Sequence, residues 1–288
     1  MTTRSTIKAV LPPIITDVLR RLRPQPASGP PEWEYLPGGW RDANCDAHGW
    51  NIQSVAAAQR RKWSRFAELV EGNGPLGVAH EALIPQNDDF AAHATIMSYG
   101  YVAALASSHL DCISILDWGG GVGHYGLLTR ILLPGVTVEY HCRDMPLLCE
   151  AGRELQPDAT FHDNDASCFG RSYDLVVASG SLHYSRDWQS TMRVLAGAAR
   201  GLLFVTRLPL VKKVPSFVVL QRPYMHGYDT EYAGWFLNRD EFLGHADHLG
   251  MDLVREFLVP ESPMVENAPE RGQYGGFLFR PPHAKPQP

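Results

Sequence analysis

The sequence predicts an α/β protein: a doubly wound, largely parallel sheet preceded by a mainly helical cap. Between residues 113 and 206, short apolar runs bounded by Gly, Pro and Asp alternate with helix-length segments, the rhythm of strand–helix–strand units with right-handed crossovers. A glycine-dense loop stands where the first of these runs gives way to the first helix. The preceding 110 residues show no such rhythm.

Within the cap, residues 14–22 read as a short amphipathic helix ending in Arg20, Arg21 and Arg23, docking on the body or on a second subunit to make a homodimer. Pro12, Pro13 and Asp17 argue against a signal peptide there. Residues 24–40 are crowded with Pro and Gly around Trp33, Tyr35 and Trp40 and read as an irregular arm. Helices follow at 52–70, from the spacing of Val55, Trp63, Phe66 and Leu69, and at 89–109. Core strands are expected at 113–116, 136–142, 159–162, 173–178 and 202–206, with helices near 123–133, 147–155 and 188–199. The rhythm fails over 208–236, read as a functional insertion. It returns with a helix at 239–249 and strands at 253–259 and 274–279. The expected division is thus a cap at 1–110, a core at 111–207, a substrate-side insertion at 208–236, and the end of the sheet with a tail at 237–288.

Composition removes several function classes. The 288 residues carry 26 Lys and Arg against 31 Asp and Glu, a formal charge of -5, so nothing draws the chain to a phosphate backbone and no nucleic-acid partner is expected. With 44% hydrophobic and 20% charged residues the chain is globular rather than disordered. No run approaches the ~18 apolar residues of a membrane span, so no integral membrane segment is expected. Five scattered cysteines, Cys45, Cys112, Cys142, Cys149 and Cys168, form no CxxC pair and read as reduced thiols in a cytoplasmic protein; no metal site is expected.

The chemistry begins at Asp117-Trp118-Gly119-Gly120-Gly121-Val122-Gly123. Glycines at a strand-to-helix turn let a ligand approach the amides at the helix start. Gly121, Gly123 and Gly126 fit the GxGxxG of dinucleotide sites, whereas Asp117, Gly119, Gly121 and Gly123 fit DxGxGxG. Asp117 separates the two. A carboxylate facing a pyrophosphate would cost a few kcal/mol in a partly desolvated cleft, in the range of ~1 to 4 kcal/mol. It suits S-adenosylmethionine, which carries an ammonium and a sulfonium and no phosphate. Asp144, just past the second strand, stands where such folds place the acid that accepts from ribose hydroxyls.

The stretch 115–123 resembles the DVGGGTG loop of class I S-adenosylmethionine-dependent methyltransferases, small-molecule O-methyltransferases in particular, and Arg143-Asp144-Met145-Pro146 is similar to their xDLP segment. The likeness covers roughly 111–207, more weakly to 280. Trp118 departs from the small aliphatic residue of the pattern, and the winged-helix domain of the plant-type enzymes is not evident. The resemblance implies a Rossmann-like seven-stranded sheet with the last strand antiparallel, S-adenosylmethionine as cofactor, and a small-molecule substrate methylated on oxygen or nitrogen. It implies cofactor contacts from Asp117, Trp118, Gly119, Gly121, Asp144, Met145 and Ser179, and adenine recognition by Asp165 or Asn164, where helix capping is the competing reading. It places His183, in Ser179-Gly180-Ser181-Leu182-His183-Tyr184, where those enzymes carry the base that deprotonates an acceptor hydroxyl. Aromatic residues outside the core, among them Tyr99 and Tyr224, are candidate pocket walls, and Arg207 and Arg222 candidate partners of an acidic substrate group. Two other readings share the cofactor: cyclisation or aminocarboxypropyl transfer through its other carbons, and cofactor binding without turnover.

Overall fold

The computed structural model describes residues 30–43 and 49–282. Its contacts divide the chain after Pro31, and the unit from Glu32 onward is the one described below. The expected helix at 14–22 and Cys45 lie outside the described residues.

The cap contributes β1 (Trp33–Leu36), α1 (Gln53–Glu71) and α2 (Phe90–Ala106). The core follows as β2 (Cys112–Trp118), α3 (His124–Leu132), β3 (Thr137–Arg143), α4 (Pro146–Leu155), β4 (Thr160–His162), α5 (Asp165–Cys168), β5 (Tyr173–Ser179), α6 (Trp188–Ala198) and β6 (Ala199–Val211). Then come β7 (Phe217–Gln221), β8 (Tyr232–Asn238), α7 (Arg239–His248), β9 (Asp252–Leu258), β10 (Val265–Glu266) and β11 (Gln273–Arg280).

Seven of these strands lie in the order β4-β3-β2-β5-β6-β11-β9, with β11 antiparallel to both neighbours and the pairs among β2 to β6 parallel. The residues explain why both faces are covered. Ile113, Ile115, Leu175, Val177, Leu202 and Phe204 pack with α1, α2 and α3. Their neighbours Leu116, Val176, Ala178, Leu203 and Val205 face the other way, onto Met192, Leu195 and Phe242 of α6 and α7. Strands apolar at every position belong in a parallel sheet buried on two sides.

Register sets up the site. Asp117 is paired with Cys142 and with Val177, and Ser179 with Thr206, so the residues just past β2, β3, β5 and the middle of β6 share one carboxyl edge. The order reverses between β2 and β5, and ligands of open α/β sheets bind at that crevice.

Two expectations are corrected. The segment 208–236 is not irregular: β6 runs on to Val211, and β7 and β8 form an antiparallel pair from Phe217↔Phe236 to Gln221↔Tyr232. Its prolines, Pro209, Pro215 and Pro223, lie among three strand-length apolar runs and hide their rhythm. The arm at 24–40 likewise contains β1, whose Trp33 and Tyr35 pack with Phe217 and Phe236 while β1 pairs with β7 and β10. These four strands extend the sheet beyond β6, to eleven in all among the described residues.

Candidate active site

Two adjoining cavities open at the carboxyl edge. The smaller, about 280 Å³, lies on the glycine loop and is lined by Asp117, Trp118, Gly119, Gly121, Asp144, Met145 and Ser179. The cap supplies its roof through Trp50, Gln59, His80 and Glu81, and the 208–236 segment through Tyr228. The larger, about 630 Å³, is lined by His183, Glu32, Glu261 and Tyr232 among others. Trp50, Glu81, Gly180, Tyr184, Arg207 and Tyr228 line both.

The loop geometry is fixed by two acids. Asp144 is buried and accepts from Gly121 N and Met145 N, each at 2.7 Å. Gly121 has φ 61°, a left-handed conformation that lets its amide point at that carboxylate. Asp117 is fully buried and accepts from the Tyr140 hydroxyl at 2.5 Å through Oδ2, while Oδ1 has no partner. A Cβ at Gly120 would run into the Asp117 carboxyl and lie 2.9 Å from Cys142 Sγ. Burial pushes Asp117 up to about 7, the Tyr140 hydrogen bond opposing and Asp144 adding to the rise.

The smaller cavity also holds unpartnered buried atoms at Gln59 Oε1, Trp118 Nε1 and His124 Nε2. The His80 and His124 rings lie 4.2 Å apart, and burial, first among the causes, lowers both below the usual imidazole range. Lys62 is buried and donates to the carbonyls of Glu81 at 2.9 Å and His226 at 2.8 Å, 4.7 Å above the Tyr228 ring. It ties together the two loops that cover the cavities. Burial lowers its ammonium to about 8, with Glu81 opposing.

Arg207 sits at the junction. In the β6–β11 pairing, Leu208 is opposite Gly275 and Val205 opposite Phe277, so two residues of β6 face one of β11, and Arg207 takes φ 51° in this bulge. Bulges re-aim a side chain, and this one turns Arg207 to Glu81, which it binds through Nη1, and towards Glu261 Oε2, 3.6 Å from Nε. His183 is 1% exposed and neither ring nitrogen has a partner. Burial, with Arg207 adding, lowers it to about 3.

Five expected site residues lie elsewhere. Tyr99 belongs to the core: its hydroxyl meets Thr129 Oγ1 and its ring lies tilted 4.3 Å from Tyr125. Arg222 is held by Glu34 at 2.8 Å and Glu231 at 2.9 Å, and Tyr224 donates to Glu231 at 2.8 Å; neither lines the two cavities. Asn164 caps α5, accepting from Ser167 N at 3.0 Å, so capping accounts for it. Asp165 forms an ion pair with Arg143 at 2.6 Å, and it is Arg143 that reaches the cavity wall. Conversely Gln59, Lys62, His80, Glu81 and His124 were missed. The dipeptide His80-Glu81 in a Gly- and Pro-flanked loop was the one available signal, polar residues on loops being where function concentrates.

The sheet order, the single antiparallel strand between the fifth and sixth parallel ones, and the acid-flanked glycine loop at the switch point decide the architecture. The fold is a Rossmann-like α/β sheet with its last strand antiparallel, the arrangement that the sequence resemblance implies. No protein-family model matches the chain, and no curated sequence matches it. Similar solved structures include an S-adenosylmethionine-dependent methyltransferase from Clostridium acetobutylicum, 13% identical, covering 65% of this chain and 91% of that one with a TM-score of 0.45. Another is the O-methyltransferase of a Brevibacillus brevis trans-AT polyketide synthase in complex with S-adenosylhomocysteine, 13% identical over 65% and 71% of the two chains, TM-score 0.46. A third is the Burkholderia thailandensis 1,6-didemethyltoxoflavin-N1-methyltransferase, 15% identical over 65% and 79%, TM-score 0.42.

S-adenosylmethionine, the ligand that the sequence resemblance implies, can be tested against the residues. They fit: an acid past β3 beside the loop, glycines at 119 and 120 that let the loop lie against Ser181 and Asp117, and an unpaired buried carboxylate oxygen at Asp117 for a cationic group. Among the described residues no cluster of His, Cys, Asp and Glu could hold a metal ion, and no helix is long and apolar enough to cross a membrane.

Proposed function

We propose that the chain binds S-adenosylmethionine along residues 119–123 and transfers its methyl group to a small molecule seated in the larger cavity. The observation that carries this reading is the pairing of the two cavities. One is built on the glycine loop, the other holds His183, and a shared wall of Trp50, Tyr184, Tyr228 and Arg207 joins them. Methyl transfer needs two ligands brought together in line, with water excluded.

When bound, the cofactor supplies a methyl carbon activated by its sulfonium. Asp144 retains lone pairs beyond the two amides it accepts, and these take ribose hydroxyls. The unpaired Asp117 Oδ1 and Gln59 Oε1 would take the ammonium. The rings of Trp50, Tyr184 and Tyr228, 5.4 and 6.1 Å apart from Trp50 outwards, stand at the wall nearest both ligands, where aromatic faces attract a sulfonium. His183, neutral across the physiological range, accepts a hydrogen bond from the acceptor and orients it. Its low basicity suits positioning better than removal of a proton from an alcohol.

Incubation with S-adenosylmethionine and candidate acceptors, followed by mass spectrometry, tests the reading. S-adenosylhomocysteine and a product heavier by one methyl support it; methylthioadenosine in their place would mean chemistry at the other sulfonium carbons.

A further inference from the structure

The walls of the larger cavity carry an imbalance of charge that bears on what it holds. Glu32, Glu81 and Glu261 line it, all half-buried. Arg207 is committed to Glu81 and Glu261, and Lys62 spends its donors on the carbonyls of Glu81 and His226. Glu32 has neither Arg nor Lys within 4.0 Å among the described residues; Gln221 Nε2 donates to it at 3.2 Å and His226 Nε2 lies at 3.6 Å. With Asp89, four carboxylates thus line the cavity against one arginine and no lysine, and an anionic acceptor would have to strip Arg207 from partners it already has.

An independent observation points the same way. His183, 1% exposed, lines this cavity with no partner for either imidazole nitrogen, and the buried Tyr232 lies beside it on the same wall. Burying such nitrogens unpaired is costly, so they await a polar ligand. A neutral imidazole nitrogen accepts from an N–H. Around them Trp50 stacks on Tyr232 at 4.4 Å and Tyr184 stands edge-on to Tyr232 at 4.9 Å, and all three line the cavity as an aromatic wall of the kind that favours organic cations. At the rim Met225 and Met264 are 66% and 83% exposed, an apolar lip.

We propose that the larger cavity is a site for a small organic cation, an amine carried on an apolar body, and that this amine is the methyl acceptor, the latter resting on the methyltransferase reading. The amine enters as its ammonium and gives up one proton through the wall carboxylates to solvent. Its lone pair then forms the new N–C bond as the C–S bond breaks, the electron pair of that bond staying on sulfur. The product is the N-methylammonium and a neutral thioether, with one proton released overall.

Benzylamine, benzyl alcohol and benzoate share a ring and differ in charge, so calorimetric titration of each into the full chain is the test. Benzylamine should bind about tenfold more tightly than benzyl alcohol, with benzoate weakest. Glu32→Gln, checked for an unchanged melting temperature, should erase most of that preference. Equal affinities, a preference for benzoate, or no benzylamine binding at millimolar concentration would overturn the proposal, and these wild-type comparisons decide it even if the variant fails to fold. Titration of S-adenosylhomocysteine in parallel separates the two claims. Benzylamine binding without S-adenosylhomocysteine binding would refute the methyltransferase reading and leave the cation site standing, and the reverse result would refute only the site.

Discussion

Asp117→Asn should abolish a pH dependence that wild-type stability must have. The carboxyl is fully buried, and burial moves it from 3.8 to about 7, so the folded chain holds a proton there that the unfolded chain has lost. A group raised in the folded state contributes stability below its unfolded value and loses it as pH climbs through the folded one. Between pH 5 and pH 8 that loss integrates to about 2–3 kcal/mol for a shift of this size. Asparagine keeps an oxygen for the Tyr140 hydroxyl, bonded at 2.5 Å in the wild type, and cannot ionise. Urea unfolding of both proteins at pH 5, 6, 7 and 8 is the assay. Subtracting the two profiles cancels the histidines and surface carboxylates, leaving a difference that rises with pH in favour of the variant. Parallel profiles would refute the claim that an unpaired buried carboxylate sits under the glycine loop. The same group predicts that a ligand bringing an ammonium to Oδ1 binds more tightly as pH rises from 6 to 8, because it favours the ionised form.

Four further expectations follow from individual contacts. Gly120→Ala should destabilise the chain by about 1–3 kcal/mol in urea unfolding, its methyl colliding with Asp117 and Cys142. Lys62→Met keeps the apolar stem and removes two charged hydrogen bonds to the lid loops, which should cost about 1–3 kcal/mol and raise protease sensitivity near residues 79–84 and 224–228. His183 is lowered to about 3 by burial, so the unfolded chain takes up a proton that the folded one refuses. Wild type should therefore lose about 2 kcal/mol more than His183→Gln as pH falls from 6.5 to 4.5. For the same reason the pH profile of kcat/KM should show no step near 6.5 that vanishes in His183→Gln, and a step that does vanish would restore the general-base role.

The core was legible because its signals are local and repeated. Apolar runs such as 113–116 and 173–178 are flanked by glycine, proline or acid, and both faces of a parallel strand demand the same kind of residue, so nothing in the pattern competes. The loop from Asp117 to Gly123 was legible for the same reason, being contiguous. What was not legible depends on partners distant in sequence. β1 is four residues long among prolines and becomes a strand by pairing with β7, nearly two hundred residues away. The β6 bulge that turns Arg207 inward depends on its pairing with β11. Asn164 and Asp165 fit the expected adenine position by spacing, yet spacing could not disclose that Asn164 caps α5 or that Arg143 engages Asp165. Tyr99 and Arg222 are suitable residue types committed elsewhere, Tyr99 to the core and Arg222, just past β7, to Glu34 and Glu231, as burial and ion pairing decide. Lys62 and Gln59 lie on α1, whose apolar face drew attention away from the polar residues beside it.

The central claim, a cofactor site between Asp117 and Asp144, is tested most directly by calorimetric titration of the full chain with S-adenosylhomocysteine, in wild type and in Asp144→Ala. The account predicts one molecule per chain at roughly micromolar affinity, weakened at least about tenfold in the variant, because ribose hydroxyls and the Gly121 amide lose a common acceptor. Wild-type heats indistinguishable from dilution at millimolar ligand, or an affinity that Asp144→Ala leaves unchanged, would contradict it.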